Sequence, residues 1–495
     1  MVNIMKNILI SLITFLMVTT GLTVIRSMTT IKESLDTPTY TYTDDFGFLY
    51  KEGKTTVNGN KQAIYYGEYK AENNSKYEWV IHSIRSGSKT TRTNVLNIAK
   101  DYESTTGNKV IFAANGDYFD LNSGSNMESY VNNGIVISKG SFVTKHCIGF
   151  DNNGLVAIGR MTEVEKRLML TVDDQVYLYN IDKYNAEPEG DEISIYNQSG
   201  TYTLNDCGRY VISTSSSNLN QCPVWGTSKR MSTGEKVSSD SLTLKSGQFA
   251  IVVKDSELND FFFNSIIYGV EVNIVEIPSG NFADCTWVLG GYDILVNNYE
   301  VNTKCHTDNA GDSRAPRTFI GFKEDGTCFV SVVDGRMPSY SAGITVNEEA
   351  SLAYELGAKY ALELDGGGSS TIILRLNDEL TLRNTPSDGS MRTVSNAIML
   401  VEKEVEEETP VDPPIDDNTT TIDEPTTTVE DEPTTSEETT IDDKPTTSNE
   451  LPTENNGDNN NKNTGCASTL SGIFVIPCLI GIMFFIDKKR KGDIK

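Results

Sequence analysis

The hydrophobic pattern is clearest between Val332 and Leu374, which read VVDGRMPSYSAGITVNEEASLAYELGAKYALELDGGGSSTIIL. Cys328 to Val333 is a short apolar run rich in β-branched residues, the composition of a buried strand, and it stops at the turn pair Asp334-Gly335. A helix is expected next. Thr345 and Glu348 have the T-x-x-E spacing of a capping box, in which a hydroxyl and a carboxylate satisfy two otherwise orphaned backbone NH groups. Ala350, Leu352, Ala353 and Leu356 recur at helical spacing as one apolar face, and Gly357 stands where a left-handed C-terminal cap is needed. Tyr360 to Leu364 then reads as a second strand, ended by Asp365 and the glycines Gly366, Gly367 and Gly368.

Strand, helix and strand of these lengths predict a right-handed crossover between parallel strands, a βαβ unit over residues 328–376. Both strands would end at one sheet edge and bring Asp334 and Asp365 to one crevice, where open α/β sheets bind ligands. The three glycines allow a ligand close to the backbone. Either Asp-Gly pair alone is an ordinary turn signal. Two on one crossover, with Arg336 beside the first, point to a site, whereas Glu348 is accounted for by the cap.

Residues 35–90 alternate polar and aromatic positions, as at Tyr40, Tyr42, Tyr65 and Tyr66, and residues 158–277 hold further strand-like runs such as Gln175 to Ile181 and Phe249 to Val253. The fold class expected is therefore α+β, a mixed β-sheet with flanking helices, in one domain over residues 35–403. The chain ends differ in kind. From about Glu402 to Gly465 the composition is Thr, Glu, Asp, Pro and Asn with repeated EPTTT, EPTTS and KPTTS units, which cannot bury enough apolar surface to order, so residues 404–466 are expected to form an extended stalk.

Five blocks carry a resemblance to a known family. They are AANGDYFD (Ala113 to Asp120), LGGYDILVNN (Leu289 to Asn298), APRTFIGF (Ala315 to Phe322), the VVDGR to DGGGSS unit, and NTPSDGSMRTVSNAIML (Asn384 to Leu400). In this order, spanning roughly residues 90–403, they resemble the phosphodiester glycosidase family. A lone DGGGS is weak evidence; five ordered blocks are specific. The resemblance implies that domain's fold and the removal of a sugar from a sugar-1-phosphodiester of the N-acetylglucosamine-1-phosphate type, leaving the phosphate on the other product. Two positions depart from the family pattern: Asp117 replaces a second glycine and Glu363 replaces an asparagine, both adding negative charge near the expected phosphate site.

Glycoside cleavage requires carboxylates that stabilise an oxocarbenium-like transition state and assist attack at the anomeric carbon. Asp334 and Asp365 are the catalytic candidates. A phosphate leaving group has its second pKa near about 6 and departs with little protonation, so arginine can take over much of a general acid's work. Arg317, Arg336 and Arg392 each adjoin a family-like block and suit phosphate oxygens, with Gly366, Gly367 and Gly368 completing the binding set. Asn115 is either a sugar or phosphate contact or part of an Asn115-Gly116 turn. Asp117 and Asp388 are turn residues or, with Asp334, metal ligands, but no EF-hand spacing supports a metal, and none is expected. Only His82, His146 and His306 occur, without the close pairs of zinc sites, which lowers the reading of a metal-dependent phosphodiesterase. No cofactor is implied.

Charge and termini set the expected compartment. Residues 402–465, with 20 acidic and 3 basic residues, carry most of the net charge of −27, so the acidity implies no nucleic-acid partner. Residues 1–27 read as a signal peptide or an N-terminal anchor. Leu470 to Ile486 is apolar except for Ser471, followed by Asp487 and a basic cluster, and is expected to span a membrane with residues 487–495 in the cytoplasm; a processed sorting signal is the other reading. The expected placement is thus a single-pass cell-membrane protein with its domain outside. Six cysteines in that domain permit three disulfides, Cys207 to Cys222 and Cys285 to Cys305 being the nearest pairs, with free thiols equally open. The expected partner is a glycan or polymer carrying a sugar-1-phosphodiester. The alternative is a surface glycan-binding or adhesion protein that keeps the fold without turnover.

Overall fold

The computed structural model describes residues 26–403, except residue 73 and residues 87–88, 141–144, 173–174, 214–234, 237–239, 267–270 and 306–310. Cys328–Val333 and Tyr360–Glu363 are strands as the β-branched pattern predicts, and both lie in an eight-stranded sheet. They are not neighbours. Arg317–Phe322 lies between them and pairs antiparallel with each, so the two run in the same direction with one strand interposed. Asp334 and Asp365 therefore do reach the same end of the sheet, by a different topology from the expected adjacent crossover.

Two-residue periodicity gives this sheet two apolar faces. Ala63, Tyr65, Ile320, Val330, Val332 and Leu362 face one core, while Ile64, Tyr66, Phe319, Phe329, Val333 and Ala361 face another. The first core is shared with a five-stranded sheet ordered Glu379–Leu382, Ile372–Leu376, Val110–Asn115, Ala397–Glu402, Tyr77–His82. Phe112 of that sheet lies so close to the eight-stranded one that a β-carbon at Gly67 would stand 2.7 Å from its ring. Burying such a ring contributes about 1.5–3 kcal/mol. The second core is covered by the helix Val346–Glu355 through Ala350, Leu352 and Ala353. Its capping box is formed as predicted, Thr345 accepting from the Glu348 NH and Glu348 from the Thr345 NH, and Gly357 takes φ +92° at its end. Met28, Ile31 and Leu35 also enter this core, so residues that precede the expected start at 35 pack into the fold.

The expected fold class is corrected. Strand far outweighs helix among the described residues, and every ladder of the eight-stranded and five-stranded sheets just described is antiparallel. The molecule is a mainly β protein, not a balanced α+β fold; parallel pairing occurs among the described residues between Lys183–Tyr184 and Ile193–Tyr196, in a different sheet from the one expected to be mixed. Residues 164–278 add further strands to this balance. They supply the sheet of Val164–Val172, Gln175–Asn180 and Glu271–Pro278 and a further sheet around Gln248–Val253, closed over their own core of Leu168, Ile195, Tyr210, Ile251 and Phe262 with the single helix Ser256–Ile266.

The membrane placement is also corrected. Among the described residues no helix is long and apolar enough to cross a membrane. The segment Leu470 to Ile486 on which the single-pass expectation rested lies outside the described residues, as do the stalk, the tail and all but the last two residues of 1–27. Cys285 and Cys305 are free thiols in different apolar clusters, so the pairing expected between them is not made. Cys207 is free as well, and Cys222 lies outside the described residues.

Candidate functional site

Strand ends from both sheets converge at one end of this sandwich. From the five-stranded sheet come Asn115, at the close of Val110–Asn115, and Thr371, just before Ile372–Leu376. From the eight-stranded sheet come Asp334 and Asp365. Asn115 is fully buried and locks the two sheets together: its Oδ1 accepts from the Thr318 hydroxyl (3.1 Å) and the Thr371 NH (3.0 Å), and its Nδ2 donates to the Asp365 carbonyl (2.6 Å). It sits in a strand ladder rather than a hairpin turn, and it braces the backbone of Asp365.

Asp334 is enclosed completely. Asn384 Nδ2 donates to one carboxylate oxygen and the Thr385 NH to the other, both at 2.9 Å. Asn384 also reaches the Ser370 carbonyl and accepts from the Ile372 NH, so Asp334 is tied through it to the glycine turn. Burial raises its pKa to about 6, against the opposing pull of those hydrogen bonds.

Asp365 keeps part of its surface exposed. Burial of its carboxyl raises the pKa to about 7, while a hydrogen bond from Ser369 and the charge of Arg392 act in the other direction. The turn beyond it depends on glycine. Gly367 has φ +62°, and a β-carbon at Gly368 would overlap Asp388 Oδ2 and Arg392 Nη2. Arg392 donates to Asp388 Oδ2 through Nε (2.9 Å) and Nη2 (2.7 Å) and points Nη1 at the Ser369 hydroxyl (3.5 Å).

The three predicted arginines fall into different environments. Arg317 passes its stem beside Gly366, but its guanidinium turns into the buried interior, holding Glu363 Oε1 at 3.2 Å and the Ile344 and Ser313 carbonyls. Tyr118 donates to the same Glu363 oxygen (3.0 Å), so the two family departures are not alike: Glu363 is neutralised internally, while Asp117, fully buried beside Glu128, has its pKa raised by burial. Arg392 is shared with Asp388. Arg336 is exposed, with no hydrogen-bonded or ionic partner for its guanidinium among the described residues. Its backbone holds φ +61°, rare for a side chain of this size, and a β-carbon at Gly367 would lie 3.1 Å from both of its terminal nitrogens. An unpaired guanidinium over a glycine turn, next to a shared one, is suited to phosphate oxygens.

Sequence reasoning did not single out Ser369, Asn384 or Thr385. Ser369 follows the glycines directly and was legible as part of DGGGSS; the other two open the NTPSDGS block, but nothing in it indicates that they act on Asp334, fifty residues away. Among the described residues no group of three or more His, Cys, Asp or Glu side chains is arranged to hold a metal ion.

Residues 224–401 match the phosphodiester glycosidase family model. No curated protein sequence matches the chain. Solved structures similar to it include a Synechocystis protein described as hypothetical, at 16% identity over 72% of this chain and 62% of that one, with a TM-score of 0.43. The chain thus spans less than two thirds of that relative. A Burkholderia pseudomallei protein described as exported has 15% identity over 69% of this chain and 74% of its own, with a TM-score of 0.37. The catalytic domain of zebrafish N-acetylglucosamine-1-phosphodiester α-N-acetylglucosaminidase, auto-inhibited by its pro-peptide, has 14% identity over 74% and 86%, with a TM-score of 0.36. Asp334, Arg336, Asp365, the glycine turn and Arg392 all fall within residues 224–401, the stretch that is similar to the phosphodiester glycosidase family model.

Proposed function

We propose that the chain hydrolyses a glycosyl phosphodiester, releasing the sugar and leaving a phosphate monoester. The observation that carries this reading is the unpartnered Arg336 guanidinium against Gly367, beside a partly exposed Asp365 whose pKa stands at about 7. In the reaction the bond between the anomeric carbon and the phosphate oxygen breaks, its electron pair leaving with the phosphate. Water supplies the hydroxyl of the freed sugar and a proton to the medium. Asp365 is the carboxylate that assists attack at the anomeric carbon. Arg336 and the Nη1 side of Arg392 neutralise the departing phosphate, which needs little protonation. Asp334, Asn384 and Asn115 hold the turn in place and do not touch the substrate.

The test is product identity. The full chain is incubated with methyl-phospho-N-acetylglucosamine and the products are read by mass spectrometry, with and without EDTA. Free N-acetylglucosamine with methyl phosphate, in equal yield under chelation, supports the reading. N-acetylglucosamine-1-phosphate, lost on chelation, would assign the chain to metal-assisted P–O cleavage instead.

A further inference from the structure

The segment after Asp334 is a closed hairpin: Arg336 NH donates to the Ala342 carbonyl, Met337 NH to Ser341, and Tyr340 NH back to Met337. One flank of this hairpin is the glycine turn, where Arg336 lies on Gly367. Its other flank opens on a recess of about 330 Å³, lined by Lys54, Thr55, Thr56, Lys61, Gln62, Ser339 and Tyr340. That volume lies at the small end of the range of about 300–1,000 Å³ typical of ligand sites. The recess lies across the hairpin from Asp365, not at it.

Its lining contains two lysines, hydroxyls, an amide and a phenol, and no carboxylate, in a chain of net charge −27. Strand register explains the clustering. In the antiparallel pair Leu49–Val57 and Asn60–Tyr69, Thr56 stands opposite Lys61, so Lys54, Thr56 and Lys61 share one face. Both lysines are exposed, and neither makes an ion pair among the described residues. Lys54 lies over the Tyr340 ring at 5.4 Å, and the Tyr340 hydroxyl is held at 2.6 Å from that of Tyr65. The aromatic wall is thereby fixed, while the ammonium groups remain available to a ligand. Tyr340 follows Arg336 by four positions, which bounds their backbone separation at about 14 Å.

The geometry points to a second anion subsite at Lys54, Lys61 and Tyr340, which receives a further phosphate or carboxylate on the aglycone side of the substrate. This deepens the reading of the Asp365 site as a glycosyl phosphodiesterase and rests on it. The scissile phosphate sits at Arg336, and the departing part of the substrate continues over the hairpin into the recess. Substrates whose aglycone carries additional negative charge are therefore preferred over those ending in a small neutral group.

The test compares two probes that differ on the aglycone side alone: methyl-phospho-N-acetylglucosamine, and UDP-N-acetylglucosamine with its second phosphate and nucleoside. In the full chain, Lys54→Ala with Lys61→Ala raises KM for the UDP-sugar at least about tenfold, about 1.4 kcal/mol, and leaves KM for the methyl ester within about twofold. Arg336→Ala raises KM for both. A double variant that alters neither substrate, or both equally, overturns the subsite. If neither probe is turned over, the Asp365 reading fails by itself, and calorimetric titration with UDP decides the subsite separately. Binding that weakens at least about tenfold in the double variant supports it, while no binding, or unchanged binding, overturns it.

Discussion

Asp334 and Asp365 end two strands that run the same way in one sheet, each followed by glycine, yet their surroundings differ. Asp334 is wholly enclosed, with both oxygens held by donors from the Asn384–Thr385 segment. Asp365 retains exposed surface and faces Ser369, Arg392 and the turn on which Arg336, unpaired among the described residues, lies. Burial raises both carboxyls, to about 6 and about 7 respectively. An identical local signature thus yields a fully enclosed carboxylate in one place and one on a partly exposed residue in the other. What separates them is the partner set, not the strand or the turn.

Substitution at Gly368 should give the largest change on the Asp365 side. Gly368→Ala places a β-carbon into the Asp388–Arg392 pair and pushes Arg392 off the turn. Activity on a glycosyl phosphodiester should fall at least about 100-fold, the value of a charge-assisted contact of about 3 kcal/mol, while thermal unfolding changes little. An active Gly368→Ala enzyme would show that Arg392 has no place in the site.

Stability should divide the two aspartates in the opposite sense. Asp334→Ala leaves two buried donors unmatched, at roughly 1–3 kcal/mol each, whereas Asp365 belongs to a residue that keeps exposed surface, where water can fill the space. Urea denaturation at pH 5 is expected to show a loss of about 2–4 kcal/mol for Asp334→Ala and under about 1 kcal/mol for Asp365→Ala. Equal losses would remove the distinction between the enclosed carboxylate and the one on the partly exposed residue.

Arg336→Ala is expected to raise KM for phosphodiesters about tenfold, as for a lost charged hydrogen bond, and to leave a neutral α-glycoside unaffected. The same rise for both would take Arg336 out of the phosphate contact. The smallest effect concerns pH. Asp365 must be ionised to assist attack, so kcat/KM should rise with pH through about 7. The Ser369 hydrogen bond favours the ionised form, so Ser369→Ala should move that limb upward, by less than about one unit for a bond of about 1 kcal/mol. A limb that stays in place or moves down would mean that Ser369 does not act on Asp365.

Local chemistry was legible in the sequence because it depends on neighbours a few residues apart. The Thr345–Glu348 cap, the Ala350–Leu352–Ala353 face and the two Asp-Gly strand ends all appear as read. Pairing was not legible. Nothing near residues 328–376 indicates that Arg317–Phe322 inserts between the two strands, because register between distant strands leaves no periodic trace. The same reason hid the capture of Asp334 by Asn384 and Thr385 and the pairing of Arg317 with Glu363. Asn115 was open between turn and ligand contact, and the structure gives it a third place, as the link between sheets. The fold class went astray on pairing: the helix Val346–Glu355 reads as a crossover between parallel neighbours, whereas the strands it joins lie in an antiparallel sheet with Arg317–Phe322 between them.

The most direct test of the difference between the two strand ends is a side-by-side turnover measurement. Asp365→Asn and Asp334→Asn are compared with the unaltered chain for release of free N-acetylglucosamine from methyl-phospho-N-acetylglucosamine at pH 7.5. Asp365→Asn is predicted to lose at least about 1,000-fold in kcat, about 4 kcal/mol of transition-state stabilisation, and Asp334→Asn to stay within about tenfold. Turnover that survives Asp365→Asn and vanishes with Asp334→Asn would contradict the account.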